Sequence, residues 1–167
     1  MRRRLVIARR RMRMRTDRAA QLIRRARLDI GMSRDDLARS VDVPRSVISA
    51  YESGLAHPSS ESLERILRAL RLRPSIPLTL YADAIREAAE RFHLSDVRVF
   101  GSVLRGEDTE DSDIDLLVAM TDSVSLFDLG AFALAVEEIT GFPVDLLTDD
   151  QTHDGHFAHV QAQAVPL

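Results

Sequence analysis

Residues 101–118 read GSVLRGEDTEDSDIDLLV, and this stretch decides the fold of the second half of the chain. A Gly-Ser pair is followed by a ten-residue gap and then by Asp113-Ile114-Asp115, which runs into the apolar segment 116–118. Such an apolar run predicts a buried strand. Because side chains alternate along a strand, we expect Asp113 and Asp115 on one face, a few ångströms apart.

Two carboxylates held this close repel each other unless a cation lies between them. Their hard oxygen atoms suit magnesium that carries a nucleoside triphosphate. Gly101 and Ser102 lead into a short helix, where backbone amides are expected to cradle the phosphates. Arg105 is expected to reach a phosphate or a neighbouring acid. The other acids of the gap are predicted to form a solvated loop: Glu107, Asp108, Glu110 and Asp111.

A third acid lies further along the chain. A helix predicted over residues 125–140 leads to a third strand, residues 142–147, with Asp145 inside it. A lone buried carboxylate would be costly, so we expect Asp145 beside the other two acids. There it would share a metal or take a proton from an attacking hydroxyl.

This order of strands and acids resembles the nucleotidyltransferase superfamily, and the Gly-Ser, Arg105-Gly106 and 112–118 segments resemble its minimal branch. The resemblance covers about residues 79–167 and implies a small α/β, polymerase-beta-like domain. It implies that ATP is the nucleotide substrate and Mg²⁺ the cofactor. The implied catalytic and metal-binding residues are Asp113, Asp115 and Asp145, and the implied nucleotide-binding residues are Gly101, Ser102 and Arg105. The alternative for the acids is an ordinary role in turns or at a sheet edge.

The first half of the chain has the opposite charge. Residues 1–74 contain 19 arginines and eight acids, whereas residues 75–167 contain four arginines and 18 acids. A basic module beside an acidic one suggests contact with phosphate backbones.

The first half is also predicted to be helical, because apolar residues recur in it with helical spacing. The predicted N-terminal caps are Thr16 or Asp17, Ser33, and Ser59 or Ser60, and Pro44 is predicted in the first turn of the third helix.

Residues 31–70, from Gly31 to Leu70, resemble the Cro/repressor-like (Xre) helix-turn-helix family. The resemblance implies that Arg45, Ser46 and Ser49 face DNA base edges and that Arg34 lies at the groove edge or on a phosphate. The alternative is that Arg34 and Arg45 are solvated surface charges. Glu52 is interpreted as structural. Because such repressors bind two half-sites, we expect a homodimer or a hetero-oligomer with a partner protein.

The predicted fold class is therefore α+β, with an all-α DNA-binding domain over residues 15–74 and the transferase domain over residues 81–167. Residues 1–14 are predicted to be a disordered basic arm, with a later start codon or a helical extension as alternatives. Residues 75–80, with their two prolines, are predicted to be a stiff linker. His153, His156 and His159 are predicted to share one face of a C-terminal helix, more as a polar surface than as a zinc site.

The chain contains no cysteine and no apolar run of about 20 residues, which favours a cytoplasmic protein without membrane contact.

Proteins of the minimal branch are commonly antitoxins that transfer AMP to a HEPN-domain ribonuclease. The hypothesis is thus an antitoxin of a type VII-like toxin–antitoxin module that also binds its own promoter as an autorepressor. The alternatives are a non-catalytic DNA-binding regulator and a nucleotidyltransferase acting on a small molecule or an RNA.

Overall fold

The first half of the chain is a compact set of helices. The computed structural model describes residues 14–121, 124–153 and 158–167, so the predicted basic arm, apart from Met14, lies outside the described residues. The helices of the first half are α1 (Ala19–Asp29), α2 (Arg34–Ser40), α3 (Arg45–Ser53) and α4 (Ser60–Ala69). Their apolar stripes meet in a core that includes Leu22, Leu37, Ile48 and Ile66.

Two of the predicted caps of these helices are confirmed. The Ser33 hydroxyl accepts a hydrogen bond from the Asp36 N–H at 3.0 Å, and the Ser59 hydroxyl accepts one from the Ser62 N–H at 3.1 Å. Each bond satisfies one of the backbone donors that the first turn of a helix leaves without a partner. Helix α3 starts directly after Pro44, which precedes its first turn instead of lying in it, and Gly54 ends the helix in a left-handed conformation.

The predicted cap of α1 is wrong. Neither Thr16 nor Asp17 caps the helix, which begins at Ala19 after Arg18. The reason is tertiary, because the Arg18 N–H points at the hydroxyl of Tyr81, 3.3 Å away in the second half of the chain. That hydroxyl in turn donates to the carbonyl of Arg15 at 2.9 Å. Burial raises the pKa of Tyr81 to about 12, so it stays a protonated donor at neutral pH.

Residues 75–80, predicted to be a stiff linker, form a short helix. Helix α5 (Ser75–Leu80) follows Pro74, and Pro77 lies in its first turn, where the missing N–H breaks no helical hydrogen bond. Ile76, Leu78 and Leu80 are buried. The segment therefore contributes to a core that continues through both halves.

The second half is a four-stranded mixed sheet with helices packed on it. The elements are α6 (Ala82–Arg91), β1 (Leu94–Phe100), α7 (Gly101–Arg105), β2 (Ile114–Met120), α8 (Leu126–Thr140), β3 (Val144–Thr148), a 3-10 helix (Asp150–His153), α9 (Ala158–Gln163) and β4 (Val165–Pro166). The order of the strands in space is β3-β2-β1-β4, where β1 pairs with β2 and β4 in antiparallel fashion and β2 pairs with β3 in parallel fashion. Helix α8 connects the two parallel strands and starts with a capping box of Ser125 and Asp128.

These elements confirm the predicted α+β class. The C-terminal helix predicted to carry three histidines is instead two elements, since His153 ends the 3-10 helix and His159 lies in α9. His156 lies outside the described residues. Within the described ranges, no helix has both the length and the apolar content that crossing a bilayer requires.

Candidate active site and DNA-binding surface

The parallel pairing of β2 and β3 brings two acids side by side. Asp115 and Asp145 are direct partners in the register of the two strands. Since partners in a parallel ladder point to the same face, their carboxyl groups share one side of the sheet. Asp113 lies one residue before β2 starts, and it is exposed like Asp145, whereas Asp115 is half-buried.

The pKa values of Asp113 and Asp115 are both raised above the ordinary aspartate value. The pKa of Asp113 is raised by partial burial, then by the charges of Asp145 and Glu137. The pKa of Asp115 is raised by partial burial, then by the charges of Asp145 and Asp113. A backbone hydrogen bond from Ser102 and the charge of Arg105 partly oppose this rise. The site is therefore an anionic cluster in which burial and neighbouring charges disfavour the ionised forms of Asp113 and Asp115.

Gly101 lets the backbone approach this cluster. It starts α7 directly after β1, with a φ of +72°, a conformation that favours glycine. A Cβ atom placed there would lie 1.8 Å from Oδ2 of Asp115. Glycine is thus required both by the turn and by the space, and it allows the N–H of Ser102 to face the Asp115 carboxylate.

The donor set fits a divalent cation. All three acids offer hard oxygen ligands from neighbouring positions, and a cation between them would relieve the repulsion that raises the pKa values of Asp113 and Asp115. In residues 14–121, 124–153 and 158–167, no three His, Cys, Asp or Glu side chains are already gathered into a metal-binding set.

Arg105 lies near the acids but is engaged elsewhere. Its Nε donates to Oε2 of Glu107 at 2.7 Å, and its side chain is 54% exposed. Its charge still lowers the pKa of Asp115. An exposed pair of this kind is weak and easily exchanged for another anion, so Arg105 remains available for a phosphate group.

The prediction of a solvated loop between Arg105 and Asp113 is wrong for Asp108. This carboxylate is buried, with Oδ1 at 3.1 Å from Nη1 of Arg73 and Oδ2 accepting from the Ser75 N–H at 2.8 Å. Arg73 and Ser75 precede the transferase domain in the sequence, and no local pattern around Asp108 indicates a contact with them. The prediction failed for this reason. Glu107, Glu110 and Asp111 are exposed as expected.

The residues predicted to contact DNA lie on α2 and α3. Arg45 and Ser46, which open α3, are exposed, and Ser49 one turn later is half-buried. The Arg45 Nε lies 3.3 Å from Oδ1 of Asp35, an exposed contact that competes weakly with phosphates or bases. These residues are therefore placed where a major groove could receive them.

Arg34 has a second role that the sequence did not reveal. Its Nε donates to Oε2 of Glu52 at 2.7 Å, while the Nε of Arg27 donates to Oε1 at 2.6 Å. Glu52 is buried, and desolvation opposes but does not cancel the hydrogen bonds from Arg27 and Arg34 that lower its pKa. Glu52 is thus structural, as expected. Arg34 is 41% exposed and so still reaches solvent beside its ion pair.

The sequence analysis does not single out Glu137, the second acid, after Asp145, whose charge acts on Asp113. A signal was present, because Glu137 and Glu138 lie in the last turn of α8, which contains no basic residue. Acids at a helix C-terminus are unfavourable with the helix dipole. Their position therefore suggests a constraint other than helix stability.

Comparison with known proteins gives matches in both halves. A helix-turn-helix family matches residues 23–76, and a nucleotidyltransferase domain family matches residues 82–164. Protein adenylyltransferase MntA of Thermococcus cleftensis is 37% identical over 70 residues, which are 42% of this chain and 71% of that protein. A candidate protein adenylyltransferase of Methanocaldococcus jannaschii is 32% identical over 69 residues, 41% of this chain and 70% of that protein. The solved structure of a candidate minimal nucleotidyltransferase is 39% identical, covers 55% of this chain and 95% of its own, and has a TM-score of 0.49.

The two family matches follow the order predicted from the sequence, and residues 82–164 include all three clustered aspartates. The identity to protein adenylyltransferases extends over more than two thirds of each of those two relatives. The chain belongs to the nucleotidyltransferase family, as an enzyme whose transferase domain follows a helix-turn-helix domain of the DNA-binding type.

Proposed function

We propose that this enzyme transfers AMP from ATP to a hydroxyl group of a partner protein: the hydroxyl oxygen bonds to the α-phosphorus, and pyrophosphate leaves. The observation that carries the proposal is the pairing of Asp115 with Asp145 across the parallel strands, with Gly101 against the Asp115 carboxylate. Nucleotidyltransferases generally use a divalent metal, and we propose Mg²⁺ because the donors are carboxylate oxygens. When bound, the metal would stabilise the negative charge on the attacking and leaving oxygens.

Each residue of the candidate site has a separate role in the proposed reaction. Asp113 and Asp115 would hold the metal, and Asp145 would complete the site and accept the proton of the attacking hydroxyl. The N–H of Ser102 and the guanidinium of Arg105 would orient the phosphates of ATP. Gly101 would keep that backbone close enough to the carboxylates for both tasks.

A protein acceptor suits the exposure of the site. Asp113 and Asp145 are exposed, so the cluster opens onto the surface, where a side chain of another protein could reach it. The printed names of the relatives, protein adenylyltransferases, agree with such an acceptor. We propose a HEPN-domain ribonuclease toxin, with this chain as its antitoxin, on the resemblance to the minimal branch.

The helix-turn-helix domain supports DNA binding, and we propose that it represses the promoter of its own operon as a dimer or with the toxin. Arg45, Ser46 and Ser49 would face the bases, and Arg34 would face the backbone. We place the protein in the cytoplasm, where ATP, DNA and a ribonuclease target occur together.

The test is to incubate the protein with the product of the adjacent gene, ATP and Mg²⁺, and to measure adenylylation by intact-protein mass spectrometry. We expect one adenylyl group on the acceptor with the native protein and none with the Asp113→Asn/Asp115→Asn variant. Glu87→Gln, an exposed carboxylate on α6, is the matched control and should transfer normally. No transfer by the native protein, together with full neutralisation of the partner by the double variant, would show a binding regulator without catalysis.

A further inference from the structure

The loop of residues 106–112 connects the two parts of the candidate active site. Helix α7, with Ser102 and Arg105, lies before the loop, and Asp113 follows it directly. Neither end of the loop can move without displacing groups assigned to the nucleotide or the metal. The contacts that hold the loop therefore bear on the site, although none of them is part of it.

Asp108 anchors this loop to the helix-turn-helix half. Its side chain is fully buried, whereas Glu107 and Thr109 on either side are exposed. Its two oxygens have separate partners, Nη1 of Arg73 at 3.1 Å and the N–H of Ser75 at 2.8 Å. A buried carboxylate is stable only while such partners are in place.

Arg73 is itself fixed from the other side. Its Nε and Nη2 donate to the two carboxylate oxygens of Asp29, at 2.8 and 2.5 Å. Asp29 is the last residue of α1. The two-point pairing fixes the plane of the guanidinium and leaves Nη1 directed at Asp108. One arginine thus joins the first helix of the DNA-binding half to the loop of the transferase site.

We propose that Arg73 is a positioning residue for nucleotide transfer, acting through Asp108 to hold residues 106–112 and hence Asp113 in place. This inference rests on the proposed transferase function. Without Arg73 the buried Asp108 carboxylate loses its charge partner and turns outward to water, and the loop moves with it. Asp113 is then displaced relative to Asp115 and Asp145.

Three variants test this role. Arg73→Gln removes the charge partner, Asp108→Asn removes the buried charge but leaves Arg73 paired with Asp29, and the third variant combines both changes. Arg71→Gln is the matched control, because Arg71 pairs with Glu110 of the same loop at 2.6 Å but is 71% exposed. The readouts are hydrogen exchange of residues 106–112 in the full-length protein, and kcat and KM for adenylylation of the neighbouring gene product.

We expect Arg73→Gln to speed loop exchange by about tenfold or more, the change expected when a buried charge loses its partner. The value of kcat should fall by about 10- to 100-fold through misplacement of Asp113, with little change in the KM of the acceptor. The double variant should recover part of both losses, because it leaves no unpaired buried charge. Arg71→Gln should match the native protein.

The proposal is overturned if Arg73→Gln behaves like Arg71→Gln, or if the double variant is worse than Arg73→Gln alone. Should Arg73→Gln fail to fold, Asp108→Asn decides the question, since it must loosen the loop without raising exchange in α1. If the native protein transfers no nucleotide, the proposed function fails. The exchange measurements then still show whether Arg73 holds the loop.

Discussion

Replacing Asp115 with asparagine should stabilise the protein and abolish nucleotide transfer. Asparagine keeps the shape of the side chain and an oxygen that can accept from the Ser102 N–H, but it removes the charge. That charge is repelled by Asp145 and Asp113, which together with burial raise its pKa. The fold thus disfavours the ionised form of a carboxyl group that we propose to be catalytic.

The size of the effect follows from the strand geometry. Adjacent strands lie about 5 Å apart, and two unit charges at that distance repel by about 1 kcal/mol when water screens them fully. Removing the interactions with Asp145 and Asp113 should therefore stabilise the protein by about 1 to 2 kcal/mol. For a chain of this length that raises the Tm by about 2 to 8 °C.

The assay is thermal unfolding at pH 7.5 in EDTA, for the native protein, Asp115→Asn and the control Glu87→Gln. Because the pKa of Asp115 is raised in the folded state, its destabilising effect exists only where the carboxyl is ionised. The Tm difference between Asp115→Asn and the native protein should shrink as the pH falls through that raised pKa, and vanish below the ordinary aspartate value of about 3.9. Added Mg²⁺ should raise the Tm of the native protein more than that of the variant.

The reasoning is refuted if Asp115→Asn unfolds at or below the native Tm in EDTA while Glu87→Gln is unchanged. That result would mean that the carboxylates are too far apart or too well solvated to repel. A variant stabilised equally at pH 7.5 and pH 3 would also contradict it, because the gain would then come from something other than charge.

Three other changes have expected outcomes. Gly101→Ala should lower the rate of nucleotide transfer by about 100-fold, because its Cβ would displace the neighbouring carboxylate, whereas Gly130→Ala, with open space at its Cβ, should leave the rate unchanged. Glu52→Gln should destabilise the helix-turn-helix half by about 3 to 5 kcal/mol in urea unfolding, because it leaves the Arg27 charge buried without compensation; an unchanged midpoint would contradict the structural role. Arg45→Ala should weaken binding to the native promoter by about 1 to 3 kcal/mol in a mobility-shift assay if it reads a guanine, and equal loss on unrelated DNA would assign it to the backbone instead.

Local signals were sufficient for much of the fold. Ser33 and Ser59 mark helix starts through hydrogen bonds within a few residues, and both caps are found where they were expected. The motif around Asp113 and Asp115 also predicts its own strand, because alternation and an apolar run are properties of neighbouring residues. The placement of Asp145 beside them depends on the parallel register of β3, which the cost of a lone buried carboxylate suggests but does not require.

The errors are contacts between distant parts of the chain. Tyr81 takes over the role expected of Thr16 or Asp17 at the start of α1, across more than sixty residues. Asp108 was interpreted as solvated because its neighbours in sequence are acidic, and its partners lie more than thirty residues earlier. Neither contact leaves a periodic or compositional pattern in the sequence, so only the folded structure reveals them.

The burial of α5 limits how freely the two halves can be exchanged. A cut between residues 74 and 81 would expose Ile76, Leu78 and Leu80 and would separate Tyr81 from the start of α1. A chimera that grafts another reader of DNA onto this transferase would have to supply that helix and its contacts as well. The DNA-binding domain is thus a structural part of the transferase and not a separable module. We expect the chain to unfold in one cooperative transition.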